Sequence, residues 1–359
     1  MAQTPPLYTA RPEVRLDGRR DASLTDGLLA ATAEESSDGL FRCEATFGNW
    51  GSDDGRTGFR YADRRVLDFG RGLTLRMGAG DKAGEVFTGR ITALEACYPA
   101  DRPPEITVLA EDRFQDLRMT RRTRTFEFVT ASDVVGSVAA DHGLRADADL
   151  DGPTYGLLAQ VNQSDLAFLR DVARAVDAEV WTAGDTLHAA PRPRRAGAAV
   201  KLAYGSELYE LTILADLAGQ RTAVSVSGWD VSAKEAVDET ADDSAIGSEL
   251  DGGTSGISIL RQAFGERRDR LAHTVPFTPA EGRAVAQAEL RRAARRFVTG
   301  RAVSEGDARI RAGSSVELSG VGGIYEGRYQ VVLVRHEFTP EQGYRTTFWV
   351  ERPVLREAR

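Results

Sequence analysis

Few residues in this chain have the types and spacing that perform chemistry. The four histidines, His142, His188, His273 and His336, lie far apart in the sequence. The two cysteines, Cys43 and Cys97, lie inside apolar strand patterns, where a cysteine behaves as a small hydrophobic residue. A zinc site needs closely spaced cysteine and histidine pairs. We therefore predict no metal site and two buried free thiols.

Motifs for catalysis or cofactor binding do not stand out either. Gly78-Ala79-Gly80 lacks the strand-to-helix setting of a phosphate loop. His336 and Glu337 are neighbours in an alternating strand, so their side chains point to opposite faces. No carboxylate pair can be selected from 54 acidic residues. The sequence therefore singles out no catalytic residue and no cofactor site.

Composition narrows the class of protein. The 359 residues exceed one ordinary core, and 42% hydrophobic with 28% charged residues is typical of a globular protein of two or three domains. A net charge of -8 argues against specific nucleic-acid binding. Basic clusters at 118–124 and 192–201 are interpreted as solvated or subunit-contacting surface. No apolar run is long enough for membrane insertion, and Met1–Pro12 lacks a secretory pattern, so we expect cytoplasmic assembly.

Two distant stretches share one strand-turn-strand pattern. The first has strands at Gly72–Met77, Gly89–Leu94 and Ile106–Ala110, and the second at Gly313–Leu318, Gly327–Val334 and Tyr344–Val350. Both place a Gly-Arg pair at the start of the middle strand, and alternation gives each strand one buried face. The pattern predicts an internal duplication of antiparallel β units.

A small strand-helix-hairpin module is predicted between the two units. One helix is expected to begin at Ser132, and another to be capped by Ser164 with Asp165 in its first turn. A hairpin turns at Gly184-Asp185. In the second unit, residues 236–276 are predicted to be a mobile acidic insertion, and the capping pattern Thr278-Pro279-Ala280-Glu281 begins a helix at 278–298. The predicted divisions are an arm at 1–10, a first unit at 11–126, the module at 127–198, a second unit at 199–353 and a tail at 354–359.

The order and spacing of these parts resemble a known family across about 10–353. The positions that carry the resemblance are Gly89, Asn162, Ser164, Asp165, Trp181, Gly184, Trp229, Gly327, Tyr329 and Tyr344. The chain resembles the late-control D-type baseplate hub proteins of contractile phage tails, and the hub half of the spike proteins of contractile injection systems. The resemblance implies a mainly β fold with an α+β insert, in which two tail-tube-like antiparallel β-barrel domains flank the small module.

The resemblance also implies a non-enzymatic adaptor protein and its partners. Members of the family form a homotrimer whose six β domains make a pseudo-sixfold ring, which joins a hexameric tail tube to a trimeric spike and encloses a channel. Baseplate wedge proteins would surround it. The chain lacks the barrel and needle that follow the hub half of injection-system spikes, so the spike is expected to be a separate polypeptide. An acidic channel wall is a further hypothesis.

Two other functions stay open from the sequence. A baseplate-associated murein hydrolase would use carboxylates that the sequence does not single out. A glycan-binding surface protein would use exposed aromatic residues such as Trp50, which lies in a predicted polar loop.

Overall fold

The computed structural model describes residues 11–53, 56–195 and 199–356. The predicted arm at 1–10 and the last residues of the predicted tail, 357–359, lie outside the described residues. Within the described ranges, no helix is both long and apolar enough to span a membrane.

The first part of the chain is built from nine strands and one short helix. In chain order these are β1 Glu13–Leu16, β2 Arg19–Arg20, α1 Ala22–Gly27, β3 Leu28–Ser36, β4 Arg42–Gly48, β5 Trp50–Asp53, β6 Arg56–Phe59, β7 Gly72–Met77, β8 Gly84–Cys97 and β9 Glu105–Glu111. A single-turn 3-10 helix, Gly80–Lys82, joins β7 to β8.

The middle part holds most of the helices. It comprises α2 Phe114–Met119, β10 Arg121–Val129, α3 Ala131–Asp141, β11 Arg145–Ala148, β12 Tyr155–Ser164, α4 Asp165–Ala175, β13 Ala178–Ala183, β14 Thr186–Pro191 and α5 Arg192–Arg195. The strands β10 and β12 form an antiparallel ribbon, and β11, β14 and β13 form a small sheet. Apolar residues of α3, α4 and this sheet pack into one core.

The last part returns to strands. It comprises β15 Val200–Ala203, β16 Leu208–Ala215, β17 Ala223–Asp230, β18 Glu235–Ala241, a 3-10 segment Asp243–Glu249, β19 Thr254–Ser255, α6 Gly256–Phe264, β20 Arg268–Leu271, α7 Pro279–Arg295, β21 Val298–Glu305, β22 Ser315–Ser319, β23 Gly327–Thr339, β24 Gly343–Arg352 and β25 Val354–Leu355.

One 13-stranded sheet contains strands of both the first and the last part. In the first part the strands run in the order β1-β7-β8-β9-β4-β3, and in the last part β15-β22-β23-β24-β21-β16. The two orders are the same when each strand is matched to its counterpart in chain order. One difference is that β1 is antiparallel to β7, whereas β15 is parallel to β22. The predicted internal duplication is confirmed.

The two halves also share two of their irregularities. A register shift between Leu28 and Ala30 in β3 has its counterpart between Leu208 and Glu210 in β16. A second shift, between Ile91 and Ala93 in β8, matches that between Val331 and Leu333 in β23. An extra residue in one strand changes which face every later side chain occupies. The matched shifts therefore align the halves residue by residue.

The mainly β fold with an α+β insert is confirmed, but several details differ from the sequence interpretation. The strands of the two units join in one open sheet instead of two closed barrels within the described ranges. The strand β8 begins at Gly84, so Gly89 lies inside it and not at its start. The shared register shift aligns Ile91 with Val331, and Gly89 therefore corresponds to Tyr329 and not to Gly327.

Helix boundaries and the acidic segment also required correction. The helix α3 begins after Thr130, which forms a reciprocal capping box with Asp133, and not at Ser132. Ser164 caps α4 as predicted, and Thr278 caps α7. Residues 236–276 are not an irregular loop, since β18, α6 and β20 lie there, and Ile246 and Ile257 enter a core with α7. The predicted tail begins with β25, which pairs with β19.

A buried carboxylate holds the insert together. Asp165 is fully buried at the start of α4 and accepts hydrogen bonds from Gln160 Nε2 (2.7 Å), His142 Nε2 (2.8 Å) and Arg122 Nε (3.0 Å). Burial raises the pKa of Asp165, but these hydrogen bonds outweigh it, and the net shift is downward. The charged form therefore ties β10, β12, α3 and α4 to one point.

We predict that Asp165→Asn, which keeps the shape and removes the charge, lowers the free energy of unfolding by about 3 kcal/mol at pH 7. Because the folded pKa lies below the unfolded value of about 4, this loss should be complete above pH 4 and shrink as the pH falls further. Urea denaturation followed by circular dichroism measures it. Asp151→Asn, at an exposed position, is the control, and equal midpoints for the two variants would refute the role of the charge.

Asp112 should produce the opposite pH dependence. Burial raises its pKa to about 6, although Asp112 accepts hydrogen bonds from the Thr182 hydroxyl (3.0 Å) and the Phe114 N–H (3.1 Å). The unfolded chain therefore loses this proton first, and stability falls as the pH rises from about 4 to about 6. We predict that Asp112→Asn removes this component, on the order of 3 kcal/mol between pH 4 and 7. Parallel pH profiles for the wild type and the variant would contradict this.

Candidate assembly interface

The two halves of the main sheet meet where β3 pairs antiparallel with β23. The pairs run from Ser36 opposite Leu333 to Ala31 opposite Phe338. The first half of β23 is paired to β22, and β3 takes over that edge where β22 ends. The junction therefore places an outer strand of one half against the middle strand of the other.

Charged groups fasten this junction from both sides. Arg335 of β23 contacts Glu34 of β3 at 2.5 Å. The buried Glu35 pairs with Arg311 and accepts the Ala312 N–H at 3.2 Å. Because the buried carboxylate of Glu35 receives a cation and an N–H together, the junction has a defined register.

The core beneath the junction combines both halves. Ala308, Phe338 and Tyr344 of the second half pack into the apolar cluster of the first half. The hydroxyl of Tyr344 and Nδ1 of His336 are hydrogen-bonded at 2.8 Å. Burial, assisted by the nearby Arg311, lowers the pKa of His336 to about 3, so its ring is neutral at physiological pH. Glu337 lies on the other face and accepts from Thr347, as alternation predicts.

Two edges of the main sheet that correspond to the edges paired in the junction have no partner within the described ranges. The strand β16, the counterpart of β3, is paired only on its β21 side. The second half of β8, the counterpart of the part of β23 that pairs with β3, is paired only on its β9 side. Unpaired edges are templates for pairing with another chain.

Aromatic side chains line the end of the β8 edge. Trp50, Phe59 and Tyr98 form a row of edge-to-face contacts with ring centroids 5.2 and 5.8 Å apart. Their exposed fractions are 48%, 51% and 62%. Trp50 begins β5 and does not lie in an irregular loop, and Trp229 is as exposed as Trp50. Such a patch is typical of an interaction surface.

The signature positions of the insert have structural roles. Asn162 has a positive φ of 44° and accepts a hydrogen bond from Arg121 through its backbone oxygen at 2.5 Å. Trp181 stacks on His188 at 5.1 Å, and the Arg195 guanidinium covers its ring at 4.6 Å. Gly184 takes a positive φ in the turn between β13 and β14. With Ser164 and Asp165 described above, these residues shape the insert.

The remaining signature positions are spread over the sheet. A Cβ on Gly89 would lie 2.2 Å from the Glu111 carbonyl, so only glycine fits there. Gly327 begins β23 with a φ of 117°. The buried Tyr329 donates to the Tyr325 carbonyl at 2.8 Å, and its ring lies under the Arg352 guanidinium. Trp229 lies exposed in β17. The structure therefore does not gather the ten positions into one site.

The structure differs in part from the predicted exposure of the basic residues and the predicted burial of the two cysteines. Arg192 and Arg195 are largely buried and pair with Glu179, and Arg192 also contacts Glu351 at 2.5 Å, so these two residues are internal. Arg194 and Lys201 of the same cluster are exposed, as predicted. Cys43 is buried as predicted, but Cys97 is exposed on β8. No cluster of three potential metal ligands occurs in the described part of the chain.

Sequence reasoning missed the two free edges and the role of Tyr98. The correspondence between β3 and β16 would have indicated the free edges, but it can be recognised only after the strand pairing is known. Trp50 was the single aromatic residue of this row singled out from the sequence.

Comparison with solved structures identifies the fold. A 43 kDa tail protein of prophage MuSo2 from Shewanella oneidensis is 13% identical, with a TM-score of 0.68 over 96% of this chain and 98% of that chain. A tail protein from Neisseria meningitidis MC58 is 12% identical, with a TM-score of 0.68 over 96% and 97%. A component of the type VI secretion system from E. coli, described as similar to T4 bacteriophage tail proteins, is 13% identical, with a TM-score of 0.61 over 96% and 79%. The chain therefore has the fold of these tail and secretion-system proteins.

Sequence comparison adds a family. A search of curated protein sequences gave no match. Residues 51–340, which are most of the chain, match the family described as the Alg8 N-terminal domain. The chain therefore belongs to the Alg8 N-terminal domain family.

Proposed function

We propose that the protein is a structural baseplate hub of a contractile tail or injection particle. In this proposal, three copies form a ring of six β units that joins a hexameric tail tube to a trimeric spike. The late-control D-type hub is the family member it would correspond to. The fold shared with tail and type VI secretion proteins supports the setting.

The observation that carries the proposal is the duplication within one sheet. The two halves have the same strand order and the same two register shifts, and they lie side by side through β3 and β23. A threefold object can continue a sixfold one only if every chain supplies two similar faces. Division of the chain near residues 126 and 198 would then separate the two ring-forming units from the insert, which would face the wedge proteins.

The face of the sheet opposite the core would line the channel. Threonine, glutamate and arginine are frequent on this face, as in Thr32, Glu34 and Arg335, and Glu34 pairs with both Arg42 and Arg335. A wall of mixed charge with hydroxyl groups offers no continuous binding surface to a passing polyanion or protein. The protein would act without catalysis or cofactor and would assemble in the bacterial cytoplasm.

The proposal predicts a trimer with six lobes. Co-expression with the tube and spike proteins of the same particle, followed by native mass spectrometry and negative-stain class averages, should show three copies around an axial hole. The isolated chain at increasing concentration is the matched control for dependence on neighbours. A compact monomer in both preparations, or a ring of another order, would refute the hub.

A further inference from the structure

The two free edges correspond to the two edges that already pair inside the chain. The strand β16 is the counterpart of β3, and the second half of β8 is the counterpart of the part of β23 that β3 covers. Each copy therefore contains one paired junction, between β3 and β23, and also one unpaired strand edge that corresponds to each side of that junction. Head-to-tail contacts of this kind form closed rings when the rotation fits.

We infer that β16 of one copy pairs antiparallel with residues 93–98 of the next copy, in the register of the internal junction. This inference rests on the proposed function and specifies how its ring closes. The occupant of each edge is a second copy of this chain.

The register follows from the matched shifts. Inside the chain, His336 lies opposite Ala33. Their counterparts are Ala96 and Ile213, which therefore lie opposite each other across the contact. Counting outward, Cys97 faces Thr212.

The chemistry of the facing residues fits this register. On the core side, Leu94, Ala96 and Tyr98 meet Ala215, Ile213 and Leu211, so every member of this set is apolar or aromatic. Leu211, Ile213 and Ala215 pack against the core of the second half, but they are only half-buried and form its solvent-facing border. Their counterparts in β3 are closed off by β23.

Tyr98 shows what the contact would cover. Its counterpart Phe338 is 2% exposed because β3 and the core of the first half enclose it, whereas Tyr98 is 62% exposed. Trp50 and Phe59 extend this apolar surface beyond the strand. Burying three such rings makes a large apolar contribution to association.

The register can be tested with one added cysteine. The variant Thr212→Cys keeps the native Cys97, and a directly opposed pair lies within the Cα separation that a disulfide accepts. Oxidation or a short thiol cross-linker should give covalent dimers and trimers on non-reducing gels. Thr212→Cys with Cys97→Ser should give none, and Glu44→Cys, on the same face of the inner strand β4, should give none either.

The results of these experiments distinguish a failure of the proposed contact from a failure of the proposed hub function. A trimer by native mass spectrometry without cross-linking of Thr212→Cys would overturn the register and leave the hub intact. A monomer would overturn both. Cross-linked chains that grow without limit would show edge pairing that does not close, which also contradicts the inference.

A second variant tests the aromatic row. Tyr98→Ser should weaken trimer formation roughly ten-fold or more, because it removes the exposed ring that the contact would bury against Leu211. Phe264→Ser, which removes an equally exposed ring at the end of α6, should leave assembly unchanged. Circular dichroism spectra of both variants should match the wild type, and equal assembly of the two variants would count against the contact.

Discussion

The structure depends on the antiparallel pairing of β3 with β23. This pairing turns two β units of separate sequence into one sheet, and it brings Phe338 and Tyr344 into the core of the first unit. The hydrogen bonds of a strand pair define both a direction and a register. The relative placement of the halves is thereby set by the backbone, and the ion pairs of Glu34 and Glu35 reinforce it.

The two halves differ widely outside the six strands that they share. Outside the common strands the first half carries β2, the short helices α1 and Gly80–Lys82 and the short hairpin β5–β6, whereas the second carries β17–β20 with two longer helices. The added elements of the second half build a core of their own around Ile246, Ile257 and Leu290. What the halves keep is the strand order and the two shifts. Those are the features that a shared geometry requires, because a shift decides which face each later residue occupies.

The insert is held by charge and not by apolar packing alone. Asp165 joins four elements, and Arg295 of α7 pairs with Asp177 and Glu249 to connect the insert to the second half. Breaking such a buried pair leaves an uncompensated charge, which is why these contacts give the insert a defined position. A polar network of this kind is invisible to hydrophobic periodicity, and the sequence showed only that Ser164 and Asp165 begin a helix.

Local patterns in the sequence were sufficient for the repeated strands, the capped helices at Ser164 and Thr278, and the mainly β class. They were sufficient because alternation and capping depend on residues a few positions apart. They failed for Gly89, whose partner in the second half depends on a bulge, and for 236–276, where an acidic composition concealed ordered elements packed on α7. The exposure of Cys97 was likewise not readable from its strand pattern.

The sequence by itself determined that this chain holds two similar β units around an α+β insert. Only the tertiary structure decided that the units share one sheet and that β16 and the end of β8 stay unpaired within the described chain. The physical reason is that strand propensity is local, whereas the choice of partner for a strand edge is made between residues hundreds of positions apart.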